Sequence, residues 1–310
     1  MSVDPNISAT PLPGGPERTA HDAAATGSPT TRRRRRGSVH GTNWPLTILL
    51  MVCSLSVLLP FFVAVSMAFK TTDQAVLGQA FKLPAPWSLE GFREAWELTD
   101  FPKVFAISLT ITVVSTVGAV LLSAMASYAI SRNWNRRFFR ISCYYLLAAM
   151  FLPFPVLALS QVKLSGYVHL ANPVGVIVLH IMFSLSFNVL LFTAFIRSLP
   201  EELEESARMD GASTWRIFWT LMFPLMMPMA ATVGIFTLLA SWNDFMMPSM
   251  IIADPSLQTL PVVQKIFQTQ FSNNYNIAFA SYLLAIGPSV IAYAISQKWV
   301  MAGLTQGAVK

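Results

Sequence analysis

Residues 197–224 carry the most pointed combination of side chains in the chain. A run of carboxylates (Glu201, Glu202, Glu204, Glu205) is followed by Asp210-Gly211, and then by Trp215, Phe218 and Trp219. The pattern predicts two short helices meeting at a glycine corner. Pro200 suits a first helical position, and Glu201 and Glu202 sit well against the positive end of a helix dipole. Glu204 and Arg208, four apart, have the spacing of a surface ion pair. Gly211 can take the left-handed conformation that ends a helix, and Ser213 can cap the next one. Carboxylates that accept from basic groups, beside a bare backbone that permits close approach, make a docking chemistry rather than a catalytic one.

A second candidate is Asp244, the only acidic residue well inside an apolar stretch, with Trp242 and Asn243 beside it. An ionisable group in such a place is costly, and marks either a polar solute path or a paired structural site. Gln161 and Asn188 are weaker path candidates of the same kind. Other chemistries find little support. The four histidines and two cysteines have no metal-ligand spacing, and Cys53 and Cys143 read as small core residues. No glycine-rich loop ends in Lys and Ser or Thr, so nucleotide has no phosphate cradle here. No clustered His, carboxylate and nucleophile suggests an enzyme.

The elements that must position these residues are apolar. Of 310 residues 54% are hydrophobic and 12% charged, against about 25% charged in soluble domains. Mean hydropathy is +0.53. That excludes a soluble enzyme, a disordered scaffold and a disulfide-built module. Six stretches, 45–69, 104–130, 141–163, 173–197, 224–252 and 277–300, can each cross about 30 Å of hydrocarbon as a helix. Pro153 and Pro155 should break the third and Gly287-Pro288 the sixth, with Pro248 near the outer end of the fifth. Fifteen of the 21 Lys and Arg fall on one side, four of them in 131–140, which puts both termini in the cytoplasm. The net charge of +6 therefore reflects topology rather than nucleic-acid binding. Residues 1–43, rich in Pro, Gly, Ser and Thr and closing with Arg32 to Arg36, read as a disordered tail whose arginines meet anionic lipid. No internal repeat joins the two halves, which speaks against an inverted-repeat secondary transporter. A self-sufficient transporter or channel remains the alternative.

The glycine corner resembles the EAA motif of membrane subunits of ATP-binding-cassette importers. Glu205-Ser206-Ala207, three residues, Gly211, nine residues and Leu221-Met222-Phe223-Pro224 keep its spacing. Ser206, Leu221 and Phe223 depart from its usual types. Ser241 to Phe245 and the tail 297–310 resemble the carbohydrate branch, in particular the smaller maltose-type permease subunit. The resemblance implies an all-α type I importer permease: six spans over 44–300, a coupling loop at 198–223 and a cytoplasmic tail at 301–310. It implies a multi-pass protein of a prokaryotic plasma membrane that moves a sugar or polyol. Implied partners are a second permease subunit, two cytoplasmic ATPase subunits holding ATP and Mg, and an extracytoplasmic sugar-binding protein; this chain itself would bind no cofactor or metal. Coupling to the ATPase would run through Glu205, Ser206, Ala207, Asp210, Gly211, Ala212 and Pro224, with a tail contact at Gly303, Gln306 and Gly307. Gln270, Ser272, Asn273 and Asn274 match in position a loop that probes the binding protein. The Trp242-Asn243-Asp244 run recurs in the family whatever the sugar, which fits a structural or gating role.

Overall fold

In the computed structural model, residues 43–77, 80–270 and 274–308 are described, and all the regular structure among them is helical. The chain divides into two compact units, Met1–Met51 and Val52–Lys310. In the first, the described residues are those that open helix α1 (Trp44–Ala68). The expected tail 1–43 lies almost wholly outside the described residues.

Along Val52–Phe62, α1 is apolar and exposed on all sides, which suits a surface covered by lipid or another chain. Cys53 is part of this exposed surface, so it is not the core residue that its apolar neighbours suggest; Cys143 is buried. Two short helices follow, α2 (Thr72–Val76) and α3 (Glu90–Leu98). They form a cap held by an aromatic cluster in which Phe69 meets Trp87 and Phe92. Gly91 lets α3 approach closely, since a Cβ there would lie 2.9 Å from the carbonyl oxygen of Asn276.

The centre is built on α4 (Phe101–Arg132) and α7 (Pro173–Ile196). Ser115, Ala119, Ser123, Ser127 and Ser131 recur at four-residue spacing along α4, with Ser108 seven residues before them, and all are buried. Small side chains at an interface let helix backbones approach without needing a hydrophobic drive between them. The Ser127 hydroxyl donates across the seam to the Val189 carbonyl at 3.2 Å.

Between them, the expected third span is two helices, α5 (Arg137–Ala149) and α6 (Phe154–Tyr167), bent by 104°. Pro153 and Pro155 explain the corner, because each is tolerated at or just inside a helix start and neither can continue a ladder. Next come α8 (Glu202–Met209), α9 (Thr214–Ile217), one π-helical turn (Phe218–Met222), α10 (Phe223–Leu225) and α11 (Met227–Trp242). Here the expectation that Pro224 opens the fifth span is corrected. The helix from Thr214 runs through it to Leu225, and the 75° bend comes at Met226. Pro224 lacks the N–H that would continue the ladder, and the π turn just before it absorbs that loss. Pro228 takes the helix-start position instead.

The fifth stretch is also broken earlier than Pro248. It stops at Asn243–Phe245, and Pro248 lies inside α12 (Met246–Ile251). After α13 (Leu260–Gln270), α14 (Tyr275–Ala308) runs without interruption. The expected break at Gly287-Pro288 is therefore absent. The Trp242 indole donates to the Ala285 carbonyl at 3.1 Å in the turn before that proline, so a neighbouring helix supplies a donor where the ladder is loosened. Nor does the helix end at residue 300, where a separate tail was expected. Among the described residues, four helices are long and apolar enough to cross a membrane, or up to six if each bent pair is one span.

Candidate functional site

Two places gather the polar side chains. The first is the glycine corner between α8 and α9. Gly211 has φ +80°, the left-handed region that glycine enters without a Cβ penalty. The Ala212 amide donates to the Ala207 carbonyl and the Gly211 amide to the Arg208 carbonyl, both at 3.0 Å, the Schellman pattern of a helix end. The Ser213 hydroxyl then accepts from the Arg216 amide at 3.3 Å and starts the next helix. Among the described residues, none beyond Gly211 and its two chain neighbours has a heavy atom within 4 Å of where a Gly211 Cβ would sit. Glu205, Ser206, Asp210 and Gly211 are exposed, and Met209, 88% exposed, stands among them.

Ala207 and Ala212 turn the other way. Both pack on a buried cluster that includes Tyr128, Phe192, Ile196, Ile217 and Phe218. The small side chain at Ala207 thus serves internal packing, whereas the sequence suggests clearance for a partner. Pro224 is exposed but lies beyond the π turn, away from the corner.

Glu204 is the larger surprise. Its spacing to Arg208 predicts a surface pair, yet it is only 2% exposed. The Arg132 Nε donates to Glu204 Oε1 at 2.6 Å, the Tyr128 hydroxyl donates to Oε2 at 2.7 Å, and Arg208 approaches to 3.6 Å. Arg132 also reaches Glu201 at 3.2 Å. A buried carboxylate needs such company, because an uncompensated charge out of water is strongly destabilising. No local pattern announces it, since Tyr128 and Arg132 are about 70 residues away in sequence. At the same end of the fold, the Arg197 guanidinium lies 3.8 Å over the Trp134 ring.

The second place is a cavity of about 580 Å³ between α7 and α11. Aromatic rings of Phe183, Phe187 and Phe236 line it, with Asn188, Thr237, Asn243, Asp244 and His180 among its polar groups. Asp244 is placed by the break after α11 rather than by the middle of a span. Its Oδ1 accepts from the amides of Met246 and Met247 at 2.9 and 3.3 Å, capping α12. Its Oδ2 lies 2.9 Å from His180 Nε2. His180 Nδ1 lies 2.8 Å from the Ser241 hydroxyl, which is 3.1 Å from that of Ser115. This chain links α4, α7 and α11 with both ring nitrogens of His180 engaged. It has the residue types of a hydrolytic triad, with the serine buried and set between His180 and Ser115. It ties helices together.

His180 is the residue that sequence reasoning missed: metal spacing alone was sought, and the partner carboxylate lies 64 residues away. Asn188, buried, donates to the Thr237 hydroxyl at 3.2 Å. Trp242 is buried with its indole on α14 and does not line this cavity. Gln161 is half-buried on α6, also away from it. Of the residues expected to meet a binding protein, Asn274 accepts the Ala278 amide through its backbone carbonyl at 3.1 Å and Gln270 ends α13. Ser272 and Asn273 lie outside the described residues. Gly303, Gln306 and Gly307 lie within the backbone span of α14.

Residues 119–306 match the family model described as the binding-protein-dependent transport system inner membrane component. The chain belongs to this family. The match takes in the corner, both helices of the cavity and α14. Among similar members is the multiple sugar-binding transport system permease protein MsmG of Streptococcus mutans, 35% identical over 85% of this chain and 95% of that one. Another is the melibiose/raffinose/stachyose import permease protein MelC of Bacillus subtilis, 30% identical over 86% and 96%. Among solved structures, one chain of a bacterial ABC transporter involved in import of the acidic polysaccharide alginate has the same fold. Its TM-score is 0.72 at 22% identity, over 82% of this chain and 95% of that one.

Proposed function

We propose that this chain is a transmembrane subunit of an ATP-driven importer that moves a mono- or oligosaccharide delivered by an extracytoplasmic binding protein. A second permease subunit completes the path, and two cytoplasmic ATPase subunits hold ATP and Mg. The chain crosses a prokaryotic plasma membrane six times within 44–300, each bent pair being one span, with both termini in the cytoplasm. The observation that carries this reading is the corner itself. Glu205, Ser206, Met209 and Asp210 face outward around a left-handed glycine with empty space beside it. A rigid turn with carboxylates, one apolar knob and room for an approaching backbone suits insertion into a cleft of another chain.

Sugar as the class of solute is supported by the names of the relatives, which include carriers of multiple sugars and of melibiose, raffinose and stachyose. A related solved structure is a complex with a periplasmic protein bound to alginate pentasaccharide. The cavity fits the same reading, because aromatic faces beside amide and carboxylate groups suit hydroxyl-rich solutes. Contacts of Gln270, Ser272, Asn273 and Asn274 with the binding protein, and of Gly303, Gln306 and Gly307 with the ATPases, belong to the same proposal.

The test is reconstitution. The full chain, co-expressed with the ATPase, second permease and binding protein that the proposal requires, is expected to copurify with the ATPase. In liposomes the complex should take up labelled oligosaccharide only with ATP on the ATPase side. Uptake by this chain alone, without ATP, overturns the proposal.

A further inference from the structure

Glu204 occupies the first half of α8, on the short segment that presents the outward-facing corner, yet its carboxylate points into the fold. Both oxygens are held by α4: Oε1 by Arg132 Nε at 2.6 Å and Oε2 by the Tyr128 hydroxyl at 2.7 Å. Tyr128 and Arg132 stand one helical turn apart, so they grip the carboxylate from one face of α4. The Arg132 side chain is only 10% exposed and is steadied on its other edge by Glu201. Ala207, the other residue of α8 that is not exposed, sets a methyl group against an apolar cluster. A methyl contact can slide, whereas a buried two-point hydrogen-bonded ion pair has one geometry and a steep cost for leaving it.

From these positions the geometry points to an internal tie: Tyr128 and Arg132, through Glu204, convert displacement of the α8–α9 corner into displacement of α4. This rests on the reading of the corner as the ATPase-docking module and adds the element that receives the force. α4 is suited to carry it. It is a single helix of 32 residues packed on α7 and α11. Its Ser115, about 25 Å further along at 1.5 Å per residue, touches the Ser241–His180–Asp244 chain that borders the cavity. One helix therefore meets the corner segment at its end, through Tyr128 and Arg132, and the contacts bordering the cavity near its middle, through Ser115. Glu204, Arg132 and Tyr128 are positioning residues; none of them belongs to the exposed docking face.

The experiment uses the reconstituted complex with Glu204→Gln, Arg132→Gln, the two together, and Tyr128→Phe as a variant that removes only one hydroxyl. Three quantities are read: ATPase captured on purification, ATP hydrolysed with loaded binding protein, and solute taken up per ATP. The expected result is unchanged capture with uptake per ATP reduced about tenfold or more in either single glutamine variant, within the usual span of coupling energies. The double variant should be no worse than either single one, because the pair acts as a unit. Tyr128→Phe should lose less, in the same direction. Wild-type uptake per ATP in Glu204→Gln overturns the tie, as does additive loss in the double variant. Loss of ATPase capture in Glu204→Gln overturns it too, since the residue would then only hold the corner in shape. Failure of the unaltered chain to capture an ATPase instead sinks the docking reading on which the tie rests.

Discussion

Substitutions at Gly211 separate two demands that the glycine meets at once. The first is backbone: with φ +80° an ordinary L-residue pays about 1–2 kcal/mol, whereas Asn enters this region more readily. The second is clearance. Among the described residues, none but its own two chain neighbours comes within 4 Å of the missing Cβ, so a side chain there has open space until another protein arrives. For Gly211→Val the backbone term alone is about 2 kcal/mol or more, since a β-branched residue is a genuine outlier there. At about 1.4 kcal/mol per tenfold, that depletes the docking conformation by more than an order of magnitude. Gly211→Asn and Gly211→Asp should keep most of the turn, with wild-type helix content by circular dichroism and normal membrane insertion. They should still lose ATP hydrolysis stimulated by loaded binding protein, because their side chains fill space reserved for the partner. Full stimulation in Gly211→Asn, with loss only in Gly211→Val, would refute the clearance argument and leave the glycine as a turn residue alone.

Two further outcomes follow from named contacts. Ser241→Ala removes the hydroxyl between His180 and Ser115 and should cost about 1–3 kcal/mol by leaving buried polar groups unpaired. Thermal unfolding in detergent reads this, and an unchanged midpoint would mean the chain of contacts carries no stability. In the loop after α12, the Ser256 amide donates to the Asp254 carboxylate at 2.8 Å. That bond, with a smaller contribution from Lys103, holds the carboxyl below its ordinary range. The folded group is the stronger acid, so its contribution is present above the ordinary aspartate range and is lost as pH falls through the lower folded value. Protection of the Ser256 amide from hydrogen exchange, measured against its intrinsic rate at each pH, should fall over that acid window, and Asp254→Ala should show low protection throughout.

Particular residues mark where the sequence was legible. The apolar stretches at 45–69, 104–130 and 173–197 lie within a few residues of α1, α4 and α7, because a run of that length with no charges has few other stable forms in lipid. The corner at Gly211 and the cap at Ser213 were legible for the same reason: both depend on dihedral preferences and hydrogen bonds within four residues of one another. Prolines were legible only in part. Pro153 and Pro155 stand at a corner and Pro288 stands inside a continuous helix, although each removes one donor. What differs is whether neighbouring helices and a donor such as the Trp242 indole are at hand.

Local order, then, was written in the chain: which segments are helical and apolar, and where one of them must turn. Partnership was not. That Glu204 faces inward to Tyr128 and Arg132, that Ala207 packs while Met209 stands out, and that His180 and Asp244 meet all depend on which faces of distant helices touch. The physical reason is range. Helix propensity and capping act over one turn, whereas the burial of a charge is decided by groups some 60 to 80 residues away that only close packing brings within 3 Å.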